Sequence, residues 1–389
     1  MSTSARTEYL PFGKPNFSDE EIAAVTRVMR SGWVGMGPET LAFEQDIATA
    51  VGSAHAVAVN SCTSALFLSL LVLGIKPGDE VICPSLTWCA TANAAAYLGA
   101  KPVFCDVDAD TLNVTSEHVL AKVTSRTKAV VVVHFGGLAV DVASVRQRLP
   151  PSVAIVEDAA HAFGARYADG QPVGSSGNLT CFSFYANKNI STGEGGAIAL
   201  SNQVQAERLQ SLRQNALPIN AWKRFVDSKT LLVSAQLTEL GYKMNYTDLQ
   251  AAIGRVQIRR SAEFAAVRLA VARRYRERLN EIAPRVRLQS DCAHPHHARH
   301  LFTMRLPDCQ RSARDEILLA LRERNIGATI HYAPLHTMPL YTGGGAPTAL
   351  PETERIADSI MTLPISASMS AGDADYVVSE LHALLNRFG

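Results

Sequence analysis

The chain has no excess of either charge: 37 Lys and Arg against 36 Asp and Glu leave a formal net charge of +1 over 389 residues. Nothing in that balance attracts a polyanion, so nucleic acid is not an expected partner. Cysteine is scarce and unpaired. The seven, at positions 62, 83, 89, 105, 181, 292 and 309, include no C-x-x-C pair, and most lie inside apolar runs. That removes the zinc-site patterns and favours small buried thiols in a reducing compartment. No metal site is expected elsewhere, because the candidate site groups do not include several convergent histidines or carboxylates. Long apolar runs are missing too. None reaches about 18 uninterrupted residues, and Met1–Arg6 carries no apolar stretch of the signal-peptide kind. The expectation is a soluble, cytoplasmic protein with no membrane contact. Internal repeats and low-complexity tails are absent as well.

What is present is a globular composition, 47% hydrophobic and 19% charged, long enough for two domains. After a short N-terminal segment (residues 1–14), Ser18-Asp19-Glu20-Glu21 reads as a capping box. It opens a helix with Ile22, Val25, Val28 and Met29 on one face, stopped by Gly32. Trp33–Pro38 forms a tight loop before a second helix that ends at Gly52. Strand and helix patterns then alternate. Strands are predicted at Ala56–Val59, Glu80–Cys83, Pro102–Cys105, Ala129–Val133, Val153–Val156, Thr180–Phe184 and Ala197–Leu200. Near-continuous apolar strands of this kind imply an α/β fold, a mostly parallel seven-stranded sheet covered on both faces, over residues 15–254.

The composition shifts after Gln250. Residues 259–282 read as an Arg-rich helix with Leu269, Tyr275, Leu279 and Ile282 interleaved, ended by Pro284. Glu263, Glu277 and Glu281 dilute its charge, which makes it a solvated face rather than a nucleic-acid surface. A strand at Leu301–Leu306, a helix from Ser312 to Arg324 and a last helix from Asp373 to Leu385 make a smaller α+β domain, residues 255–389.

The chemistry gathers around Cys181–Ala197. A short β run breaks into polar residues holding Lys188, turns at Gly193-Glu194-Gly195-Gly196, and resumes as a strand. A lysine fixed between two buried strands can be desolvated, which lowers its pKa and makes it a nucleophile. The stretch alone fits a surface lysine equally well. Ligands of an open parallel sheet bind beyond the C-terminal ends of its strands, and the polar groups there form a set. Asn60–Leu66 puts small hydroxyl residues at a helix start, a phosphate site or an ordinary cap by Ser61 or Thr63. Trp88 follows the second strand, placed to stack on a flat ligand or to fill the core. Asp158 leaves the fifth strand, where a buried carboxylate needs a cation or several donors; His161 follows, and by itself fits a structural histidine. A phosphate cradle, a stacking face, a carboxylate for a cationic ring nitrogen and an amine nucleophile together match pyridoxal 5′-phosphate.

These motifs, with Phe182-Ser183-Phe184, Lys188, Gly193-Glu194-Gly195-Gly196 and Gly241–Gly254, resemble the DegT/StrS sugar aminotransferases of fold type I from Pro11 to the C-terminal helix. Gly32-Trp33, Pro84–Trp88, Gly241–Asn245 and His300-Leu301-Phe302 are most similar to the members that form UDP-4-amino-4-deoxy-L-arabinose. The resemblance implies that Lys188 holds the cofactor aldehyde, that Asp158 pairs with its ring nitrogen, and that His161 lies near its 3′-oxygen. It implies that Thr63, Ser64 and Ser183 hold the phosphate with Asn245 of a neighbouring subunit, in a homodimer with shared sites, and that Trp88 stacks on the ring. His331 and Tyr332 would contact a nucleotide sugar, and Trp33, Met36 and Tyr185 would face it. Two departures from the family pattern stand out. Tyr185 replaces a histidine three residues before the lysine, and Gly35-Met36 replaces a Ser/Thr-rich pair. The implied reaction moves an amino group from L-glutamate, leaving 2-oxoglutarate, to a UDP- or dTDP-linked 4-keto sugar for a surface polysaccharide or secondary metabolite. Two other readings stay open. Dehydratase relatives carry histidine in place of the lysine, and non-enzymatic pyridoxal-phosphate regulators attach a DNA-binding domain for which the segment before Pro11 is too short.

Overall fold

The structure is a computed structural model describing residues 6–217, 221–226, 237–291, 294–306 and 311–388. Cys292, Cys309 and residues 1–5 of the N-terminal segment lie outside the described residues. The first helix, α1 (Asp19–Ser31), is opened by the expected capping box, Ser18 with Glu21, and closed by Gly32 in the left-handed conformation. Its apolar face differs from the expectation. Ala24, Val28 and Glu21 are buried, whereas Ile22 and Met29 are 64% and 63% exposed. Glu21 tolerates burial because Ser18 N–H and Gln257 Nε2 both donate to it, at 2.7 Å each.

Helix α2 (Pro38–Val51) has no cap of its own; Gly37 at its start offers no side chain. The carboxylate of Asp248 supplies one from far along the sequence. It accepts from Gly37 N–H at 2.8 Å, Thr40 N–H at 2.9 Å and Thr40 Oγ1 at 2.7 Å. The chain then alternates β1 (His55–Val59), α3 (Cys62–Val72), β2 (Glu80–Pro84), α4 (Cys89–Ala96), β3 (Lys101–Cys105), α5 (Ser116–Leu120), β4 (Thr127–Val133), α6 (Val142–Arg148) and β5 (Ala154–Asp158). Strands β6 (Leu179–Ser183) and β7 (Gly196–Leu200) follow, then α7 (Gln203–Leu212) and α8 (Ala221–Val226). All seven strands predicted from apolar runs are present.

They form one sheet in the order β1-β7-β6-β5-β4-β2-β3, in which β7 runs against both its neighbours and the other pairs are parallel. Alternate residues feed opposite layers. On β1, Val57 and Val59 pack with the apolar helix α3, while Ala56 and Ala58 pack with Phe43 and Ile47 of α2. Register brings the chemistry to one edge: Gly196 lies beside both Val59 and Ser183, and Asp158 lies beside Cys181 and Val133.

Helix α9 (Asp248–Ile282) is longer than the Arg-rich pattern, running 35 residues from a Thr247–Gln250 capping box. It passes position 254 without a break, packs on α1 and α2, and also packs on the last helix α13 (Ala371–Phe388). Beyond it, β8 (Arg287–Leu288), β9 (Phe302–Arg305) and β10 (Ile360–Leu363) make a small antiparallel sheet. Helices α10 (Arg311–Glu323), α11 (Pro339–Thr342) and α12 (Pro351–Ser359) complete this part. Its core joins Tyr275 and Leu279 to Phe302, Met304, Ile317 and Val377. The N-terminal segment packs here as well, with Leu10 bonded to Asn325 and Gly327 at 2.8 Å each. Among the described residues no helix is long and apolar enough to cross a membrane.

Asp248→Ala strips the start of α2 of its long-range cap and leaves buried N–H groups unpaired. The expected cost is about 2–4 kcal/mol, read as a lower urea midpoint; an unchanged midpoint would show that water replaces the carboxylate freely.

Candidate active site

Asp158 ends β5 and is 5% exposed. Its Oδ2 accepts from Thr91 Oγ1 at 2.7 Å and its Oδ1 from the Ala160 N–H at 3.1 Å. Burial still wins over these donors and pushes the carboxyl above its usual range, with Lys188 pulling the other way. Such a carboxylate gains most from a cationic partner.

Lys188 sits in the loop from β6 to β7, its backbone turned by a bond from its own N–H to the Tyr185 carbonyl at 2.9 Å. Burial lowers the amine to about 8, with Cys62 and Asp158 opposing and Arg268 reinforcing the shift. Its Nζ lies 3.3 Å from His300 Nε2. The His300 ring rests on that of His161, with centroids 4.6 Å apart. His161 is held on both nitrogens: Nε2 is 3.0 Å from the Tyr332 hydroxyl, and Nδ1 accepts from the Gly136 N–H at 3.3 Å. Burial, then Lys188, hold both histidines well below the usual imidazole range, so both are neutral.

The hydroxyl residues expected at a phosphate site lie at the start of α3. Ser61 caps the helix by accepting from Ser64 N–H at 3.1 Å, and Ser64 Oγ donates to Asn60 Oδ1 at 2.7 Å. The capping reading of Ser61 therefore holds, and the Thr63 and Ser64 side chains stand beside that helix end. A Cβ on Gly196 would fall 2.5 Å from the Cys62 nitrogen, so only glycine lets β7 approach the helix start this closely. Ser183 ends β6 beside Gly196.

Trp88 is not core: it is 62% exposed at the start of α4, with its ring 6.1 Å from that of Tyr332. His331 Nδ1 pairs with Thr362 Oγ1 at 2.9 Å, and its ring lies 5.0 Å from Phe12 of the N-terminal segment. Burial and Lys188 depress it to about 3. Tyr185 is 47% exposed. The structure thus brings Asp158, His161, Lys188, Trp88, His331 and Tyr332 together; Ser183 ends the neighbouring β6, while Thr63 and Ser64, in the first turn of α3, line a cleft with Phe67, Tyr97 and Tyr242.

It does not bring Trp33, Met36 or Asn245 to them. These three line a separate cleft of about 370 Å³ with Lys243 and Gln214. There Asn245 Nδ2 donates to Met36 Sδ at 3.8 Å, and Trp33 Nε1 donates to the Met36 carbonyl at 3.1 Å. The buried Asn245 Oδ1 has no partner among the described residues. Trp33 also meets Trp222 edge-on and Phe225 at a tilt, with ring centroids 4.9 and 5.2 Å away.

Sequence reasoning missed Thr91 and the role of His300. Thr91 lies one helical turn past Trp88, a spacing that would have placed it on the site side of α4. No local signal picks out His300, which reaches Lys188 across 112 residues.

The residues fit pyridoxal phosphate. Lys188 supplies a desolvated amine, Asp158 a carboxylate short of a cation, α3 and Gly196 a close-packed helix start, and Trp88 an open aromatic face. Bound there, the cofactor supplies an aldehyde that takes up amino groups and a protonated ring that draws electrons from the reacting carbon. The protein positions and protonates. Lys188 Nζ, with its acidity near neutral pH, can accept and return a proton, while His161, fixed between Gly136 and Tyr332, stays a neutral hydrogen-bonding group.

The profile of the DegT/DnrJ/EryC1/StrS aminotransferase family matches residues 15–382. Among solved structures, the aminotransferase TlmJ from Streptoalloteichus hindustanus is similar at 35% identity, covering 98% of this chain and 100% of its own, with a TM-score of 0.87. DesV from S. venezuelae, solved with a ketimine intermediate, is 32% identical over 97% of this chain and 98% of its own, at 0.86. The putative sugar aminotransferase Spr1654 from Streptococcus pneumoniae, in its PLP form, is 27% identical over 98% of this chain and 100% of its own, at 0.89.

Lys188→Ala is expected to bind pyridoxal phosphate without fixing it covalently on borohydride treatment. Cofactor covalently retained by the Lys188→Ala protein after borohydride would move the cofactor lysine elsewhere. Asp158→Asn should keep the fold and the colour but lose about 100-fold or more in kcat/KM, the scale of an uncompensated buried charge. Near-normal turnover would make Asp158 a structural carboxylate.

Proposed function

The chain belongs to the DegT/DnrJ/EryC1/StrS aminotransferase family, and on that premise we propose that it transfers the amino group of L-glutamate to the keto carbon of a nucleoside-diphosphate sugar. It is a pyridoxal-phosphate-dependent aminotransferase, which leaves the dehydratase and regulator readings without support. The observation that carries the reading is the desolvated amine of Lys188 near the buried Asp158 carboxylate beyond the strand ends, faced by a hydrogen-bonding rim from distant elements. Tyr332 and His331 on that rim suit a ligand with many hydroxyls, and Spr1654 is itself a putative sugar aminotransferase. The likeness of Pro84–Trp88 and Gly241–Asn245 to the enzymes forming UDP-4-amino-4-deoxy-L-arabinose favours a UDP- or dTDP-linked 4-keto sugar.

The test runs in reverse. Nucleotide-linked 4-amino sugars are offered with 2-oxoglutarate, and L-glutamate formation is followed. Glutamate formed from nucleotide amino sugars supports the reading; a higher kcat/KM for amines that carry no nucleotide would overturn it. Within that assay His331→Ala should raise KM for the sugar nucleotide by about tenfold while moving that for 2-oxoglutarate little. Equal losses would assign His331 to the fold.

The active unit in this proposal is a homodimer with shared sites. The cleft of Trp33, Met36 and Asn245, separate from this chain's own Lys188, supports a role for Asn245 toward a partner's site. Inactive Lys188→Ala and Asn245→Asp homodimers, refolded together, should then regain about a quarter of wild-type activity, because half the dimers mix and half of their sites are whole. No recovery from proven mixed dimers would assign Asn245 to its own chain's site.

A further inference from the structure

Lys188 must be free of the cofactor whenever the cofactor carries the amino group, and a free buried ammonium needs an acceptor. We propose that His300 is that acceptor, a positioning residue whose Nε2 docks the released Lys188 amine. This rests on Lys188 being the cofactor lysine and deepens that reading.

The geometry is specific. His300 Nε2 is 3.3 Å from Lys188 Nζ, and His300 is 2% exposed. An ammonium has no lone pair and can only donate, so His300 must accept at Nε2 and carry its single proton on Nδ1. The neutral state needed for this follows from its surroundings. Burial disfavours the imidazolium, and Lys188 and Arg268 repel a second positive charge there. On the lysine side, Cys62 and Asp158 are the groups that favour a charged amine, and Arg268 opposes it. Arg268 also fixes the histidine's backbone. From α9 its Nη1 donates to the Arg299 carbonyl at 3.2 Å and to the Ile365 carbonyl at 3.1 Å, just before His300 and after β10. On its ring face His300 meets His161 at 4.6 Å, and Phe12 meets it edge-on at 6.4 Å. The acceptor is therefore held from the long helix, the small sheet and the N-terminal segment, and aimed at one atom of the large sheet.

An acceptor of this kind stabilises the ammonium over the free amine. Removing it should lower the acidity midpoint of Lys188, whereas a change that only loosens the fold would expose the lysine and raise the midpoint. The full chain is reconstituted with pyridoxamine 5′-phosphate, which leaves Lys188 free. Its acylation by acetic anhydride is followed against pH by peptide mass spectrometry. His300→Leu should shift the midpoint down by about one pH unit, about tenfold in the acidity constant. His300→Gln, whose side-chain oxygen reaches the same place, should stay near wild type. An unmoved midpoint in His300→Leu, or equal shifts in both variants, would overturn the proposal. If His300→Leu fails to fold, His300→Gln and His300→Met form the comparison. Protection of Lys188 by pyridoxal phosphate checks the cofactor lysine separately, so failure of that reading is distinguishable.

Discussion

Removing an amine and a carboxylate from water costs several kcal/mol for each, and the site keeps Asp158 buried and the Lys188 amine desolvated without pairing them to each other. Each is held instead by neutral groups: Asp158 by the Thr91 hydroxyl and the Ala160 N–H, Lys188 by His300. An ion pair would have quenched both. Held by neutral donors and an acceptor, the carboxylate stays short of a cation and the amine stays near its titration point. The surrounding elements serve to keep that arrangement dry and fixed.

Strand β5 makes the point with two adjacent carboxylates. Glu157 and Asp158 point to opposite faces, as neighbours on a strand must. Glu157, fully buried, accepts from Tyr167 at 2.6 Å, Asn178 at 2.7 Å and Ser176, and pairs with His134 at 2.8 Å. Those bonds outweigh burial and hold it below the usual carboxylate range, whereas burial wins at Asp158. One carboxylate is satisfied and structural; the other is left with chemistry to do.

The rest of the site comes from far away in sequence. The small sheet and the segment around Tyr332 close over the large sheet, and the N-terminal segment brings Phe12 against His331. Ser85 at the end of β2 clasps the same segment, pairing with His336 Nδ1 at 2.7 Å while His336 Nε2 meets Glu354 at 3.2 Å. Trp88 and Tyr332 are thereby carried on two loops tied to each other.

Local physics made much of this legible in the residues alone. Apolar runs announced all seven strands, caps at Ser18 and Gly32 bounded the first helix, and the polar groups at strand ends pointed to Lys188, Asp158 and His161. Each of these is a property of a few consecutive residues. Periodicity misjudged the α1 face, because Glu21 found two distant partners, Gln257 and Arg260, that no local pattern reveals and Ile22 was left outside. The cap of α2 by Asp248, the contact of His300 with Lys188 and the separation of Asn245 from Lys188 depend on packing between elements more than a hundred residues apart, or on which cleft a loop enters. Those were decided by tertiary structure, since a side chain's partners across the fold are fixed only when the sheets and helices carrying them have packed.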